Sequence, residues 1–194
     1  MTWRHLTGYI FLISFFGCHT PLLLSTLNPE TQPKEKYKYY QPDFQLDSNA
    51  LLRTDGYYYN VWKPREVTLT VEKYNQAKKH GLSFSGIDIS KMNIIQDTTL
   101  IVVHTHVYVF YPNGTYIHKI YSNKSLPEIS AEVETAFKTK IEGADVYKIT
   151  DEKIYYESYS QMSGFFYNQG IVSFNAITVG KSQPYSFSPY TGAN

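Results

Sequence analysis

Hydrophobic and polar residues alternate most regularly between residues 100 and 121, where two apolar runs flank the sequence Pro112-Asn113-Gly114. Both runs are rich in β-branched and aromatic residues, which favour strands. Proline, asparagine and glycine suit successive positions of a type I turn that ends in a left-handed residue, so the preferred register pairs Tyr111 with Thr115. A two-residue Asn-Gly turn, pairing Pro112 with Thr115, is the alternative. The pattern predicts a long β-hairpin.

The register decides which side chains share a face, because a shift of one residue moves a strand's side chains to the opposite face. In the preferred register the odd-numbered face is the predicted core and carries Ile101, Val103, Val107, Val109, Ile117 and Tyr121. The even-numbered face is a candidate binding face and carries His104, His106, Tyr108, Phe110, Tyr116 and His118. In the alternative register His118 faces away from the other two histidines.

The even-numbered face has two further interpretations. Three imidazoles on one sheet face could hold zinc or copper. No carboxylate or thiolate lies nearby in the sequence to complete the coordination, so we predict no metal and no other cofactor. The other interpretation is ordinary sheet surface, either solvated or lining a shallow cavity.

Further strand patterns lie on both sides of the hairpin. They cover residues 51–61, 144–150, 153–159, 165–167, 171–174, 177–179 and 185–188. Asp151-Glu152 is the predicted turn between two of them. Two segments have helical spacing. The first covers residues 126–138, with Ser125 as its cap, and the second, weaker one covers residues 71–80 and stops at Gly81.

These elements predict one mainly β domain of the α+β class over residues 48–194. Consecutive hairpins favour an antiparallel meander, and a sheet of seven or eight strands tends to curl because closure protects its edges. We therefore predict a lipocalin-like open barrel or half-barrel that is covered by the helix at 126–138. A flat sheet backed by both helices is the alternative.

The first 17 residues are typical of an export signal peptide. Arg4 and His5 precede an apolar run over residues 6–16, which is shorter than the roughly 20 residues that span a bilayer. Cys18 is the only cysteine, so no intramolecular disulfide can form. Gly17-Cys18 resembles the lipobox of bacterial lipoproteins, which implies cleavage before Cys18 and lipidation of its thiol. An uncleaved anchor and a secreted form are the alternatives.

Residues 18–47 are predicted to form a flexible tether, because prolines recur there among polar residues. Removing residues 1–17 removes Arg4 alone among the charged residues, so 18 − 1 = 17 basic side chains balance 17 acidic ones. A neutral chain lacks the basic footprint of a nucleic-acid binder. We expect membrane attachment through the N-terminal lipid and no nucleic-acid partner.

The phrase Ala50-Leu-Leu-Arg-Thr-Asp-Gly-Tyr-Tyr-Tyr59 resembles one found near the start of small lipoproteins of the Bacteroidota type. The succession of hairpins and polar turns over residues 146–154 and 158–174 resembles the same group. The resemblance implies a cell-envelope protein that is anchored to the inner or outer membrane and faces the periplasm. It implies no particular activity.

No motif predicts an enzyme. Neither serine of Gly81-Leu-Ser-Phe-Ser-Gly86 has glycine at both −2 and +2, as a nucleophile elbow requires. The sequence also lacks a phosphate-binding glycine loop and a His-Glu-x-x-His motif. Carboxylates from distant strands could still form a hydrolytic pair. The candidates are Asp55, Asp88, Asp97, Asp145 and Glu157.

The 19 tyrosines are the remaining compositional signal. Tyrosine suits stacking on sugars or packing against a partner, and it is also a good strand former. We therefore expect a non-enzymatic, lipid-anchored envelope protein that binds a small ligand, a glycan or a protein. The alternatives are a secreted carboxylate-dependent hydrolase and a structural subunit that oligomerises.

Overall fold

The computed structural model describes residues 32–140, 143–160 and 163–191. The strands are β1 (Gly56–Val61), β2 (Arg65–Leu69), β3 (Thr98–Val102), β4 (His104–Phe110), β5 (Thr115–Ser122), β6 (Asp145–Thr150), β7 (Lys153–Ser160), β8 (Gly164–Ser173), β9 (Ala176–Ile177) and β10 (Tyr185–Pro189). The helices are α1 (Val71–Lys79) and α2 (Leu126–Phe137), and Lys34–Lys36 forms one 3-10 turn.

Eight of the strands form a closed antiparallel barrel in the order β1-β10-β9-β8-β7-β6-β5-β4. β2 and β3 form a separate two-stranded sheet. The prediction of a mainly β barrel with two helices is confirmed. The barrel is closed rather than open, because β1 pairs with both β4 and β10.

The central hairpin has the preferred register. The Tyr111 N–H donates to the Thr115 carbonyl at 2.9 Å, and Tyr108 lies opposite His118. Gly114 has a φ of +79°, the left-handed conformation that the turn sequence predicts. The local sequence therefore determines this hairpin.

The first strand of the hairpin begins later than predicted. The Asn123 side chain accepts the Val103 N–H at 2.7 Å, and this bond lies between β3 and β4. β3 leaves the barrel to pair with β2, with Arg65 opposite Val102. Ile101 is therefore 63% exposed, and its assignment to the predicted core is wrong.

Both faces of β4 are buried, whereas only the odd-numbered face of the hairpin was predicted to be core. On that face Val107 and Val109 pack with Ile129 and Val133 of α2, as a covering helix requires. The even-numbered face lines the barrel and forms a larger core. The buried aromatic residues of this core, from the hairpin and from other strands, are Tyr58, Tyr108, Phe110, Tyr116, Tyr147, Tyr156 and Tyr185. Tyrosines can occupy this interior because some hydroxyls find partners, as Tyr147 does by donating to the Tyr111 carbonyl at 2.7 Å.

Both helices start at the caps that the sequence indicates. The Ser125 N–H donates to the Glu128 carboxylate at 2.8 Å, which completes a capping box at the start of α2. The Thr70 hydroxyl accepts the Lys73 N–H at the start of α1. The helical spacing of the two segments is therefore confirmed.

Residues 34–46 lie against the barrel, and we call them the strap. The Tyr37 ring packs edge-on against Phe165, and the Phe44 ring packs against Tyr147. The Leu46 N–H donates to the Pro112 carbonyl at 2.9 Å. This part of the chain thus differs from the predicted flexible tether over 18–47, because its aromatic side chains bury surface on the barrel.

The predicted signal peptide, Cys18 and the first part of the predicted tether lie outside the described residues. No helix within the described ranges has the length and apolar character needed to span a membrane.

Candidate functional site

Four aromatic rings form a continuous column at one end of the barrel. Trp62, which follows β1, stacks on His106 with centroids 4.0 Å apart and planes 14° apart. His106 lies 5.2 Å from His118, and His118 stacks on Tyr108 at 4.3 Å and 10°. Beyond Tyr108 the column continues to Phe110 in the core. The packed interior therefore supports the outermost ring.

The outer end of this column is open to solvent. Trp62 is 47% exposed although one face of its ring covers His106. Ile120 lies opposite His106 on β5 and is 50% exposed. We call the surface formed by Trp62, His106, His118 and Ile120 the mouth. It combines a half-exposed tryptophan after β1 with an exposed aliphatic side chain on β5.

The mouth carries no charge from its histidines at neutral pH. Burial lowers the pKa of His106 to about 4, and the neighbouring His104 lowers it further. His118 keeps an exposed surface, yet desolvation by the packed neighbouring rings and then His106 lower its pKa to about 4. The His106 Nδ1 and His118 Nε2 atoms lie 3.1 Å apart, so one neutral ring donates a hydrogen bond to the other. The site therefore suits neutral or apolar groups.

His104 lies at the rim and is held in one tautomer. Its Nε2 is 3.0 Å from Nη2 of Arg65, and its Nδ1 is 2.9 Å from the Ser122 hydroxyl. A guanidinium only donates, so Nε2 accepts and the proton is on Nδ1, from which it is donated to Ser122. Burial and the Arg65 charge both lower the pKa of His104. This imidazole cannot take a proton from Ser122 through Nδ1.

The three imidazoles do not converge on a common point. His106 and His118 bond to each other, whereas His104 bonds to Arg65 and Ser122. Within the described parts of the chain, no three histidine, cysteine or acidic side chains are placed to hold a metal ion.

The six residues of the candidate binding face thus lie on one face but have different surroundings. His106 and His118 belong to the mouth, and His104 lies at the rim. Tyr108, Phe110 and Tyr116 are buried in the barrel core. The sequence analysis missed Trp62. Alternate residues along β1 face the interior of the barrel, as Tyr58 does, and Trp62 continues this alternation just after the strand. The alternation places Trp62 beside His106 only once β1 is known to pair with β4.

The barrel interior is filled by aromatic rings. Tyr156 has ring centroids 5.9 Å from Tyr108, 5.9 Å from Phe110 and 5.7 Å from Tyr116. Tyr185 packs edge-on against Tyr108 at 5.1 Å. These rings occupy the space in which a lipocalin-like barrel would hold its ligand. A ligand at this end of the barrel would therefore contact the mouth and not the interior.

The buried Glu157 and the half-buried Asp145 hold the strap rather than line the mouth. Glu157 is 0% exposed and accepts the N–H groups of Lys38 at 2.9 Å and Tyr39 at 2.8 Å. Asp145 accepts the Tyr159 N–H at 3.2 Å and the Tyr37 hydroxyl at 3.4 Å. Burial raises the pKa of Asp145 to about 6, against the lowering effect of these two donors.

The other three candidate acids are also engaged in local structure. Asp55 forms an ion pair with Arg53, with a shortest distance of 2.5 Å. Asp88 accepts the Ser90 N–H, and Asp97 accepts the N–H of Val71 at the start of α1. None of these contacts brings two carboxylates together in a cleft.

A separate surface cavity of about 480 Å³ lies between α1 and the following loop. Its lining includes Lys78, Ser83, Asp88 and Ser90. The main chain there makes a tight turn, with φ of 49° at Ser85 and 77° at Gly86, and not a strand-to-helix elbow.

No protein-family model, curated protein or solved structure matches the chain.

Proposed function

We propose that this protein is a non-enzymatic, lipid-anchored cell-envelope protein whose barrel binds a ligand or partner at the mouth. The observation that carries this proposal is the half-exposed Trp62 ring, stacked on His106 beside the exposed Ile120. An exposed apolar surface of this kind is characteristic of a binding site.

The mouth is already organised for binding. The ring column restricts Trp62, so a ligand that stacks on its exposed side does not have to order a mobile side chain. Tryptophan in such a setting contributes large contact area and is frequently a binding hot spot. Because His106 and His118 are neutral, a neutral or apolar group meets no desolvation cost from buried charge at this surface.

The hydrogen bonds of the side chains that could catalyse hydrolysis favour a binding function over a catalytic one. Both oxygens of Glu157 accept backbone N–H groups, and Asp145 is bonded to the strap and to β7. The Ser122 hydroxyl oxygen accepts a hydrogen bond from Nδ1–H of His104, which is the reverse of a serine–histidine catalytic pair. The alternative of a carboxylate-dependent hydrolase has no comparable support.

The anchor is tested by Cys18→Ala. We expect the wild-type protein to fractionate with membranes and the variant to be released, because the thiol is the proposed site of lipid attachment. Cys18→Ala protein that stays fully membrane-bound would contradict the anchor.

The mouth is tested with the apolar dye anilinonaphthalene sulfonate and the chain from residue 19 onward. Trp62 is the only tryptophan in that chain, since the other is Trp3. We expect energy transfer from Trp62 to bound dye, and loss of dye binding in Trp62→Ala. Ile95→Ser is the matched control, because Ile95 is an exposed aliphatic residue outside the barrel. Absence of dye near Trp62, or equal binding by Trp62→Ala, would refute a binding mouth.

A further inference from the structure

β5 is paired on one side only for most of its length. It pairs with β6 through two positions, Thr115 with Val146 and Tyr116 with Asp145. It pairs with β4 continuously from Tyr116 to Ser122. Among the described residues, the stretch 117–122 therefore has no strand on the side that faces away from β4.

The hydrogen-bond pattern shows which backbone groups face this open side. The Tyr111 N–H bonds to Thr115, and the Asn123 N–H bonds to Val103, at the two ends of the ladder between β4 and β5. Hydrogen-bonded pairs alternate with non-bonded pairs along an antiparallel ladder. Odd-numbered residues of β5 therefore bond to β4. The N–H and C=O groups of His118 and Ile120 point to the open side.

This edge lacks a proline, an inward-pointing charge and a bulge, three of the features that usually block strand addition. Proline, an inward charge or a bulge protects most exposed edges. Residues 117–122 contain no proline, and the inward side chains include the neutral His118 and the exposed Ile120. The one charged residue, Lys119, points outward and lies 3.8 Å from Glu132 of α2.

We propose that the occupant of the mouth is an extended segment of another polypeptide, which adds to the barrel as a strand beside β5. This inference rests on the proposed function. An extended main chain can pair with the alternating N–H and C=O groups of His118 and Ile120 together, as in strand addition at a sheet edge. The open stretch of about six residues corresponds to roughly 20 Å of strand.

The side chains of the edge define the chemistry of the partner. Its inward residues meet His118 and Ile120 beside Trp62, so they are apolar or aromatic. Its outward residues lie beside Lys119. Lys119 lies 3.8 Å from Glu132, which pairs more closely with Lys124, so the Lys119 ammonium is the charge beside the open edge. An acidic residue on the outward side of the partner complements this charge.

The experiment selects phage-displayed random nine-residue peptides on the chain from residue 19 onward and compares two substitutions at one position. Ile120→Pro removes the N–H that faces the open side and leaves the ladder to β4 intact. Ile120→Val keeps both the N–H and an aliphatic side chain. We expect selected peptides that alternate apolar and polar residues, with an acid among the polar ones. Their affinity for Ile120→Pro should fall by at least about tenfold, the equivalent of one lost hydrogen bond. Affinity for Ile120→Val should be nearly unchanged.

Hydrogen exchange provides a second measurement that does not depend on the folding of Ile120→Pro. In the wild-type protein, the amides of His118 and Ile120 should exchange rapidly, and a selected peptide should protect both. Failure to select peptides, equal binding by Ile120→Pro, or no protection of these amides would each overturn the inference. Dye binding at Trp62 separates the two proposals. If the dye binds and peptides do not, the mouth remains a binding site and the polypeptide partner is wrong.

Discussion

Replacement of Glu157 by glutamine tests how the strap is attached to the barrel. The Glu157 carboxylate is fully buried and accepts the N–H groups of Lys38 and Tyr39, one at each oxygen. Glutamine has nearly the same shape. One of its two terminal groups is an amide NH2, which donates, so a backbone N–H of the strap would face another donor.

The expected cost follows from these contacts. A hydrogen bond to a charged group contributes about 1.5–3 kcal/mol, and Glu157→Gln removes at least one such bond. The unpaired strap N–H adds a penalty of about 1–3 kcal/mol. Removal of a buried charge recovers part of this loss. We expect the free energy of unfolding to fall by about 2–3 kcal/mol, with local loosening of the strap.

Two measurements check this expectation. Urea unfolding gives the change in stability, and limited trypsin digestion reports on the strap, because Lys36 and Lys38 lie within it. Glu157→Gln should be cleaved faster at these lysines than the wild type. Glu152→Gln is the matched control, because Glu152 is exposed in the turn between β6 and β7. Wild-type stability and wild-type cleavage rates in Glu157→Gln would refute the proposed attachment.

Three further predictions concern titration and packing. Burial raises the pKa of Asp145 from 3.8 to about 6, so the wild type loses stability as pH rises through this window. In urea unfolding, Asp145→Asn should be more stable than the wild type by up to about 3 kcal/mol at pH 8. The two proteins should be equally stable below pH 4. Burial lowers the pKa of His106 from 6.5 to about 4, so the stability contributed by the neutral imidazole is lost as pH falls from 6.5 to 4. Because Trp62 stacks on this ring, protonation of His106 should quench the fluorescence of Trp62 with a midpoint near pH 4. A midpoint near pH 6.5 would show that the stack is absent. Gly114→Ala should destabilise the protein by about 1–3 kcal/mol in thermal unfolding. The reasons are that φ is +79° at this position and that an added Cβ would lie 2.9 Å from the Phe44 ring. An unchanged unfolding midpoint would contradict the contact between the strap and the turn.

Features set by neighbouring residues could be predicted from the sequence. The Pro112-Asn113-Gly114 turn determines the hairpin register, and Ser125 with Glu128 determines the start of α2. In both cases the hydrogen bonds that define the turn and the helix cap join residues no more than four positions apart. The even-numbered face could therefore be assembled correctly before any fold was known.

Features set by distant residues could not be predicted. The break at Val103 depends on the side chain of Asn123, and Trp62 joins the mouth only because β1 pairs with β4. The alternation of polar and apolar residues does not show that the even-numbered face is also core, because a tyrosine can lie on a solvated or a buried face. In this barrel Tyr147 is buried with its hydroxyl bonded to the Tyr111 carbonyl.

The filled interior limits how this barrel can bind. A barrel of the lipocalin type encloses its ligand, and specificity comes from the shape of an internal cavity. Here Phe110, Tyr116 and Tyr156 occupy that space, so a ligand that must be surrounded on all sides has no room. The proposed binding surface is therefore the mouth, where the ring column lies beside the unpaired side of β5. A ligand that offers both a main chain and an apolar side chain uses both features at once, which favours a polypeptide over a free lipid.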